Sequence, residues 1–250
     1  MVFLNPDYVI ALYQVNTIKD RLTDKFVEKE YLKIFVVDEI KNEYMLRVGS
    51  LEYKKMLLEN NIKKAKRKLE LQADNIEKKQ IEELIKQEFK ENTEKEIAMF
   101  NDIDNAINSS QKEPMTDKEV DELNFSFSIL VRTWNPILNP DLSDQTKSLY
   151  AKAKKVYKEG NEKLLDRYVD LIDDKDIVQQ GEIDELMQEY ERYQKLLKDT
   201  EEEIKTIKNT FPFTELSMLE DENLVRRKKD ELNEEIAKLQ EEYKKLQNKI

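Results

Sequence analysis

The sequence predicts an all-α protein in which long antiparallel helical hairpins of the coiled-coil type flank a small helical unit. Its 250 residues contain only 3 Gly and 5 Pro, where average usage would give about 17 and 12. So few turn formers do not supply the tight connections of a sandwich, a barrel or a doubly wound sheet. Charged residues make up 39% of the chain, and Glu and Lys combined with Leu and Ile are typical of long helices.

The absence of two residue types excludes several kinds of active site. The chain contains no Cys and no His, which removes zinc-thiolate sites, cysteine nucleophiles, serine–histidine triads and imidazole bases. The acidic residues Asp170, Asp173, Asp174 and Asp176 lack the spacing of an EF-hand, with its Gly and terminal Glu. We therefore expect no catalytic residue, no metal site, no cofactor and no enzymatic activity.

The charge pattern bears on partners and location. The net charge is −11, and no segment carries the basic excess that phosphate neutralisation requires, so we expect no nucleic-acid partner. No stretch approaches the roughly 18 apolar residues of a membrane span, and the N-terminus does not resemble a signal peptide. We expect a cytoplasmic protein without a membrane partner. One local run is basic and is either a solvated helix face or a docking patch for an acidic partner: Lys63, Lys64, Lys66, Arg67 and Lys68.

Residues 1–110 are predicted to form a helical, coiled-coil region. Asn5-Pro6-Asp7 reads as a helix start, with Pro at the first helical position. A long helix is predicted from about residue 25 to 73 and a second one over 78–108. A turn at Ala73-Asp74-Asn75 would make them an antiparallel hairpin that buries the apolar stripes of both helices, and a single uninterrupted rod is the alternative. The apolar positions of the second helix are Ile81, Leu84, Ile85, Phe89, Ile97, Phe100, Ile103 and Ile107.

Residues 182–250 repeat this pattern. Two apolar stripes with alternating spacings of 3 and 4 run on either side of Phe211-Pro212-Phe213. They predict an antiparallel coiled-coil hairpin, and a homodimer formed through the same stripes is the alternative.

Residues 114–178 have a different character. The capping box Thr116-x-x-Glu119 starts one helix, Ser143 caps a second, and Gly160-Asn161 ends the second in the left-handed manner. A third short helix follows. These signals predict a compact three-helix unit around Trp134, the only Trp of the chain.

Two sequence stretches in this unit resemble a known family. The run Leu130-Val131-Arg132-Thr133-Trp134-Asn135-Pro136-Ile137-Leu138-Asn139-Pro140-Asp141-Leu142-Ser143 is similar to the end of helix II and the following loop in J domains of DnaJ-like proteins. The stretch from Leu149 to Leu164 is similar to their helix III and its continuation, and the bacterial proteins of this kind carry a coiled coil before it. The resemblance covers about 60 of the 250 residues and implies a J-domain-like unit with flanking coiled coils.

The motif on which J-domain activity depends is altered. Where the family has His-Pro-Asp, this chain has Asn135, Pro136 and Ile137. The resemblance implies that the missing carboxylate would pair with an arginine of a heat-shock ATPase chaperone, and losing such a partner costs about 2–5 kcal/mol. We therefore expect a non-enzymatic interaction scaffold or adaptor that has lost the ATPase-stimulating motif. The alternative is a diverged DnaJ-like co-chaperone that binds the ATPase, or holds client proteins, without stimulating ATP hydrolysis.

The same corner supplies the candidate site. Trp134, Pro136, Ile137 and Leu138 are either core or an exposed apolar patch, and such patches often mark partner sites. The sequence thus predicts protein partners and points to this patch as their contact surface.

Overall fold

In the computed structural model, the residues described are 5–172 and 182–249. Helices are the only regular secondary structure among them, which confirms the all-α prediction. Two π-helical turns, Leu32–Val36 and Met45–Gly49, separate the first three helices, and a 3-10 turn, Phe213–Glu215, precedes the tenth. The helices are α1 (Pro6–Tyr31), α2 (Val37–Tyr44), α3 (Ser50–Ala73), α4 (Lys78–Glu88), α5 (Lys90–Ser109), α6 (Asp117–Trp134), α7 (Asp144–Lys158), α8 (Glu162–Val169), α9 (Ile183–Lys208), α10 (Leu216–Leu219) and α11 (Glu222–Gln247).

The helix ends follow the local signals in the sequence. Thr116 and Glu119 form the predicted capping box, and the Ser143 side chain accepts a hydrogen bond from the backbone of Thr146. Gly160 has φ of 67°, the left-handed conformation that ends α7. Among the described residues, no helix combines the length and the apolar character that crossing a bilayer requires.

The helices form two compact units. The first contains the described residues of Met1–Asp38 and Pro114–Thr210, and the second those of Glu39–Glu113 and Phe211–Ile250. These units do not follow the predicted boundaries of 1–110, 114–178 and 182–250. The end of the predicted middle domain, and with it Asp173, Asp174 and Asp176, lies outside the described residues.

In the first unit, α6, α7 and α8 pack together and α1 pairs with α9. The Lys19 ammonium lies 6.0 Å from the Tyr193 ring centre, and ten residues later on both helices Lys29 lies 3.2 Å from Glu203. The two helices therefore run in the same direction. The core behind them includes Trp134 and the stacked rings of Phe127 and Tyr157, whose centroids are 3.9 Å apart.

In the second unit, α3 folds back on α4 and α5 in an antiparallel hairpin. Arg67 pairs with Glu88 at 2.9 Å, while the earlier Tyr53 meets the later Phe100 with ring centroids 6.1 Å apart. The turn lies where it was predicted, and Asn75 has φ of 58°. The hairpin prediction is confirmed, and the uninterrupted rod is wrong.

Helix α11 covers another face of α3 in the second unit. Glu52 lies 3.8 Å from Lys228 and Lys66 lies 2.8 Å from Glu242, so α3 and α11 run in the same direction. The predicted C-terminal hairpin is wrong, since α9 pairs with α1 and α11 pairs with α3. The physical reason is that a heptad stripe specifies which face of a helix is buried and leaves the partner helix open.

Candidate functional site

The loop after α6 is a tight corner, Asn135–Asn139. Asn135 leaves the helical conformation, with ψ of 120°. Its side-chain oxygen accepts from the Ile137 backbone N–H at 2.9 Å, and its backbone carbonyl accepts from the Asn139 N–H at 2.8 Å. The Asn side chain therefore closes the turn by bonding its own backbone two residues on, as is common in Asx turns.

The structure separates the four residues of the predicted patch. Trp134 is 1% exposed, Leu138 is fully buried, and Pro136 is partly buried. Only Ile137, at 51% exposure, has a largely free side chain. An exposed patch of all four residues is therefore wrong, because Trp134 and Leu138 point into the core of the first unit, where an indole gains more by burial than at a surface.

Helix α9 holds the corner through two neighbouring side chains. The Arg192 guanidinium donates to the carbonyl oxygens of Ile137 at 2.7 Å and Leu138 at 3.0 Å. The Tyr193 hydroxyl lies 2.9 Å from the same Leu138 carbonyl and 2.5 Å from a Glu189 carboxylate oxygen. Burial and Glu189 raise the pKa of Tyr193, so the hydroxyl keeps its proton, a single donor within reach of both acceptors.

Helix α1 holds the corner from a second direction. Lys19 donates to the side-chain oxygen of Asn139 at 2.6 Å, and the Asn139 amide donates to the Arg132 carbonyl at 3.0 Å. Arg132 itself pairs with Asp20 of α1 at 3.0 Å. Asn139 thus joins the end of α6 to α1.

Three cations, Lys19, Arg132 and Arg192, converge on this corner, and the pKa of Lys19 is lowered there. Burial is the largest cause of a lowered pKa for Lys19, to about 8, and the positive charges of Arg132 and Arg192 add to it. Glu189 and Asp20 act in the opposite direction. Burial and like charges both disfavour the ammonium form, so their effects have the same sign here.

The bonding of the corner is structural in character. Among the described residues, no buried side-chain nitrogen or oxygen lacks a hydrogen-bond partner. In the same part of the chain, no group of three or more acidic side chains is arranged to hold a metal ion. The polar atoms of the corner therefore act to hold α1, α6 and α9 together.

A second candidate surface lies on α5 in the second unit. Ile97, Phe100 and Ile107 are 56%, 54% and 46% exposed, and their helical spacing puts them on one face of the helix. We call these three residues the α5 face. Ala106, which points toward the rest of the unit, is fully buried. The prediction that the hairpin buries this whole stripe is therefore wrong.

Sequence reasoning missed the residues that hold the corner. Lys19 is 120 residues from Asn139, and Arg192 is 55 residues from Ile137, so no local pattern links them. One usable signal was present, because the buried residues of α1 follow the 4-and-3 spacing of a packed helix well before residue 25. The residues with this spacing are Ala11, Val15, Ile18, Leu22 and Phe26, and Thr23, Val27 and Lys29 are also buried.

Comparison of the chain with protein-family models, with curated proteins and with solved structures finds no match. The similarity of the middle segment to J domains accordingly stays a prediction that depends on the residues quoted above.

Proposed function

We propose that this chain is a non-enzymatic interaction scaffold, in which the paired helices hold bound partners at fixed distances and the α5 face contacts a protein partner. The observation that carries the proposal is the exposure of Ile97, Phe100 and Ile107 on one side of α5. Apolar side chains grouped on a surface often mark a protein–protein contact.

The energy available at the α5 face is sufficient to contribute to specific binding. Each side chain is roughly half exposed, and complete burial of a large apolar side chain is worth about 1.5–3 kcal/mol. Covering the exposed half of all three would therefore contribute about 2–4 kcal/mol, which is about a quarter to a half of the free energy of a micromolar interaction.

The bonding at the corner favours the scaffold over the co-chaperone alternative. A J-like unit that docks on an ATPase needs this loop as a contact surface, and here Asn135 and Ile137 replace the His and Asp that the resemblance would require. The Ile137 and Leu138 carbonyls are engaged by Arg192, and Leu138 is buried. Ile137 alone presents a mostly exposed side chain there.

Affinity capture with matched variants tests the proposal. The double variant Ile97→Asp/Ile107→Asp places two charges on the α5 face and leaves the contact between Phe100 and Tyr53 in place, whereas Ala98→Asp/Asn105→Asp places the same two charges on exposed positions of α5 outside that face. We expect a defined set of proteins to be retained by the wild type and by the control and lost from the first variant. Identical captured sets from all three chains would contradict the use of the α5 face.

An assay of ATP turnover separates the scaffold from the co-chaperone. Purified heat-shock ATPase chaperone is mixed with the full chain, and both binding and ATP hydrolysis are measured. We expect neither a complex nor an acceleration. A complex without acceleration would favour the co-chaperone alternative, and acceleration would rule out both readings of the altered motif.

A further inference from the structure

The second unit contains a groove between the two arms of the α3–α4 hairpin. Its floor is apolar and consists of Ala65 from α3 with Ile81, Ile85 and Phe89 from α4 and its end, while Tyr243 of α11 closes one side. Ala65 and Ile81 are buried, and the other three are partly exposed. The volume of the groove is about 440 Å³, within the range of about 300–1,000 Å³ that is usual for small-ligand sites.

Three lysines lie around this apolar floor. Lys64 and Lys68 are one turn apart on α3, and Lys86 lines the groove from α4. Lys64 lies 3.8 Å from Glu96 and 6.0 Å from the Phe89 ring centre. Lys68 and Lys86 form no ion pair with any residue that the structure describes.

The charge of the groove is opposite to that of the chain. Glu82 is the acidic residue among those lining the groove, against three lysines, while the whole chain carries −11. A cationic rim over an apolar floor is complementary to a ligand with an anionic head and an apolar tail, since the ammonium groups stay solvated while their neighbours bury the tail.

The apolar lining distinguishes between two ligands of that polarity. Helix-in-groove recognition needs anchors over two turns or more, at i, i+3/i+4 and i+7. The apolar side chains that line this groove are Ala65, Ile81, Ile85, Phe89 and Tyr243, a small set that suits a single, narrow acyl chain.

We propose that the groove between α3 and α4 binds a single-chain anionic amphiphile of the fatty-acid class. The tail lies along Ala65, Ile81, Ile85 and Phe89, and the carboxylate lies between Lys68 and Lys86. This site is independent of the α5 face, and a scaffold that carries it would respond to the supply of such amphiphiles.

Titration of the full chain with cis-parinaric acid, a fluorescent long-chain fatty acid, tests the proposal. The acid is kept below its critical micellar concentration. The wild type should give a saturable increase in fluorescence, and the methyl ester of the same acid should bind more weakly. No saturable increase would overturn the proposal, and so would equal binding of the acid and its ester.

Matched lysine variants locate the site. Lys68→Gln/Lys86→Gln removes two charges at the groove, while Lys63→Gln/Lys79→Gln removes two charges from exposed positions outside it. We expect the first variant to weaken parinarate binding by about 2- to 30-fold, as estimated from the usual strength of exposed ion pairs. The control should bind within about twofold of the wild type. Equal loss in both variants would reassign the effect to net charge and overturn the proposal.

Salt dependence and competition by other ligands test the same site without any substitution. Salt at about 1 M screens charges beyond about 3 Å and should weaken the binding of parinarate more than that of the ester. The other occupants are an acidic amphipathic helix and a second copy of the chain. Displacement of parinarate by a Glu- and Leu-rich helical peptide would assign the groove to an acidic helix instead. Binding of parinarate only at protein concentrations where the chain is monomeric would assign the groove to a second copy of the chain.

Discussion

Replacing Arg192 by Met removes the charged donor that holds two carbonyls of the corner. Arg192 donates to Ile137 at 2.7 Å and to Leu138 at 3.0 Å. Because Ile137 is half exposed, its carbonyl can bind water, and the Leu138 carbonyl retains Tyr193 at 2.9 Å. The expected loss is therefore that of one hydrogen bond to a charged group, about 1.5–3 kcal/mol.

Adding Tyr193→Phe makes the test sharper. The single change should cost about 0.5–1.5 kcal/mol, because Arg192 still serves the Leu138 carbonyl. With both changes, the carbonyl of the fully buried Leu138 loses Arg192 and the Tyr193 hydroxyl, and the Glu189 carboxylate loses its contacts with the same two side chains. The double variant should then be less stable than the sum of the single variants by about 1–3 kcal/mol.

The assay is thermal or urea unfolding followed by tryptophan fluorescence. Trp134 is the only Trp and directly precedes the corner, so its emission reports on the first unit. For a chain of this size, a loss of 1.5–3 kcal/mol corresponds to a fall in Tm of about 3–12 °C. Arg167→Met is the matched control, since Arg167 is an exposed arginine of the same unit.

Two results would refute this account of the corner. One is a loss of stability in Arg192→Met no larger than in Arg167→Met, for which we expect less than about 0.5 kcal/mol. The other is strict additivity of the Arg192 and Tyr193 substitutions. Either result would mean that the Ile137 and Leu138 carbonyls are satisfied by water and that the corner is not held from α9.

Three further predictions concern other parts of the chain. The pKa of Lys19 is lowered from 10.5 to about 8 in the folded state. Between these pH values the folded chain therefore binds fewer protons than the unfolded chain, and its free energy of unfolding should rise from about pH 8 to about pH 10.5. Urea titrations should show this rise in the wild type and a smaller rise in Lys19→Met. Asn60, 4% exposed, donates to Glu96 at 2.7 Å and accepts from Asn92 at 2.8 Å, so Asn60→Leu should lower the free energy of unfolding in urea by about 1–3 kcal/mol, and an unchanged value would contradict this role. Asn75 has φ of 58°, so Asn75→Ala should lower the free energy of unfolding by about 1–2 kcal/mol, whereas Asn75→Gly should be nearly neutral or stabilising. Thermal melts measure both, and equal effects of the two substitutions would contradict a left-handed turn.

Local signals were sufficient for the ends of most helices. Thr116 and Ser143 cap α6 and α7, and Gly160 ends α7, because a cap depends on side chains within three or four residues. The turn after Ala73 was predictable for the same reason, although it contains neither Gly nor Pro. The sequence also placed Trp134 on an apolar face, and both core and partner-site interpretations followed from that pattern.

Pairing of the helices was not predictable in the same way. The C-terminal stripes were assigned to each other because they are close in sequence, while α9 pairs with α1 and α11 with α3. Burial of the α5 stripe was likewise overestimated, since Ile97, Phe100 and Ile107 have the spacing of a core face but remain about half exposed. The spacing of apolar residues reports a face and carries no information on whether another helix covers it.

The sequence by itself determined that this is a chain of helices, where most of those helices start and stop, and that imidazole and thiol chemistry are absent. These properties depend on composition and on interactions between residues a turn or two apart. Tertiary structure decided which stripes meet, and through that it brought Lys19, Asn139 and Arg192 to one corner and left the groove between α3 and α4 open. The reason is physical: a heptad stripe specifies which face of a helix is buried, whereas the choice among similar amphipathic partners depends on contacts between residues far apart in the chain.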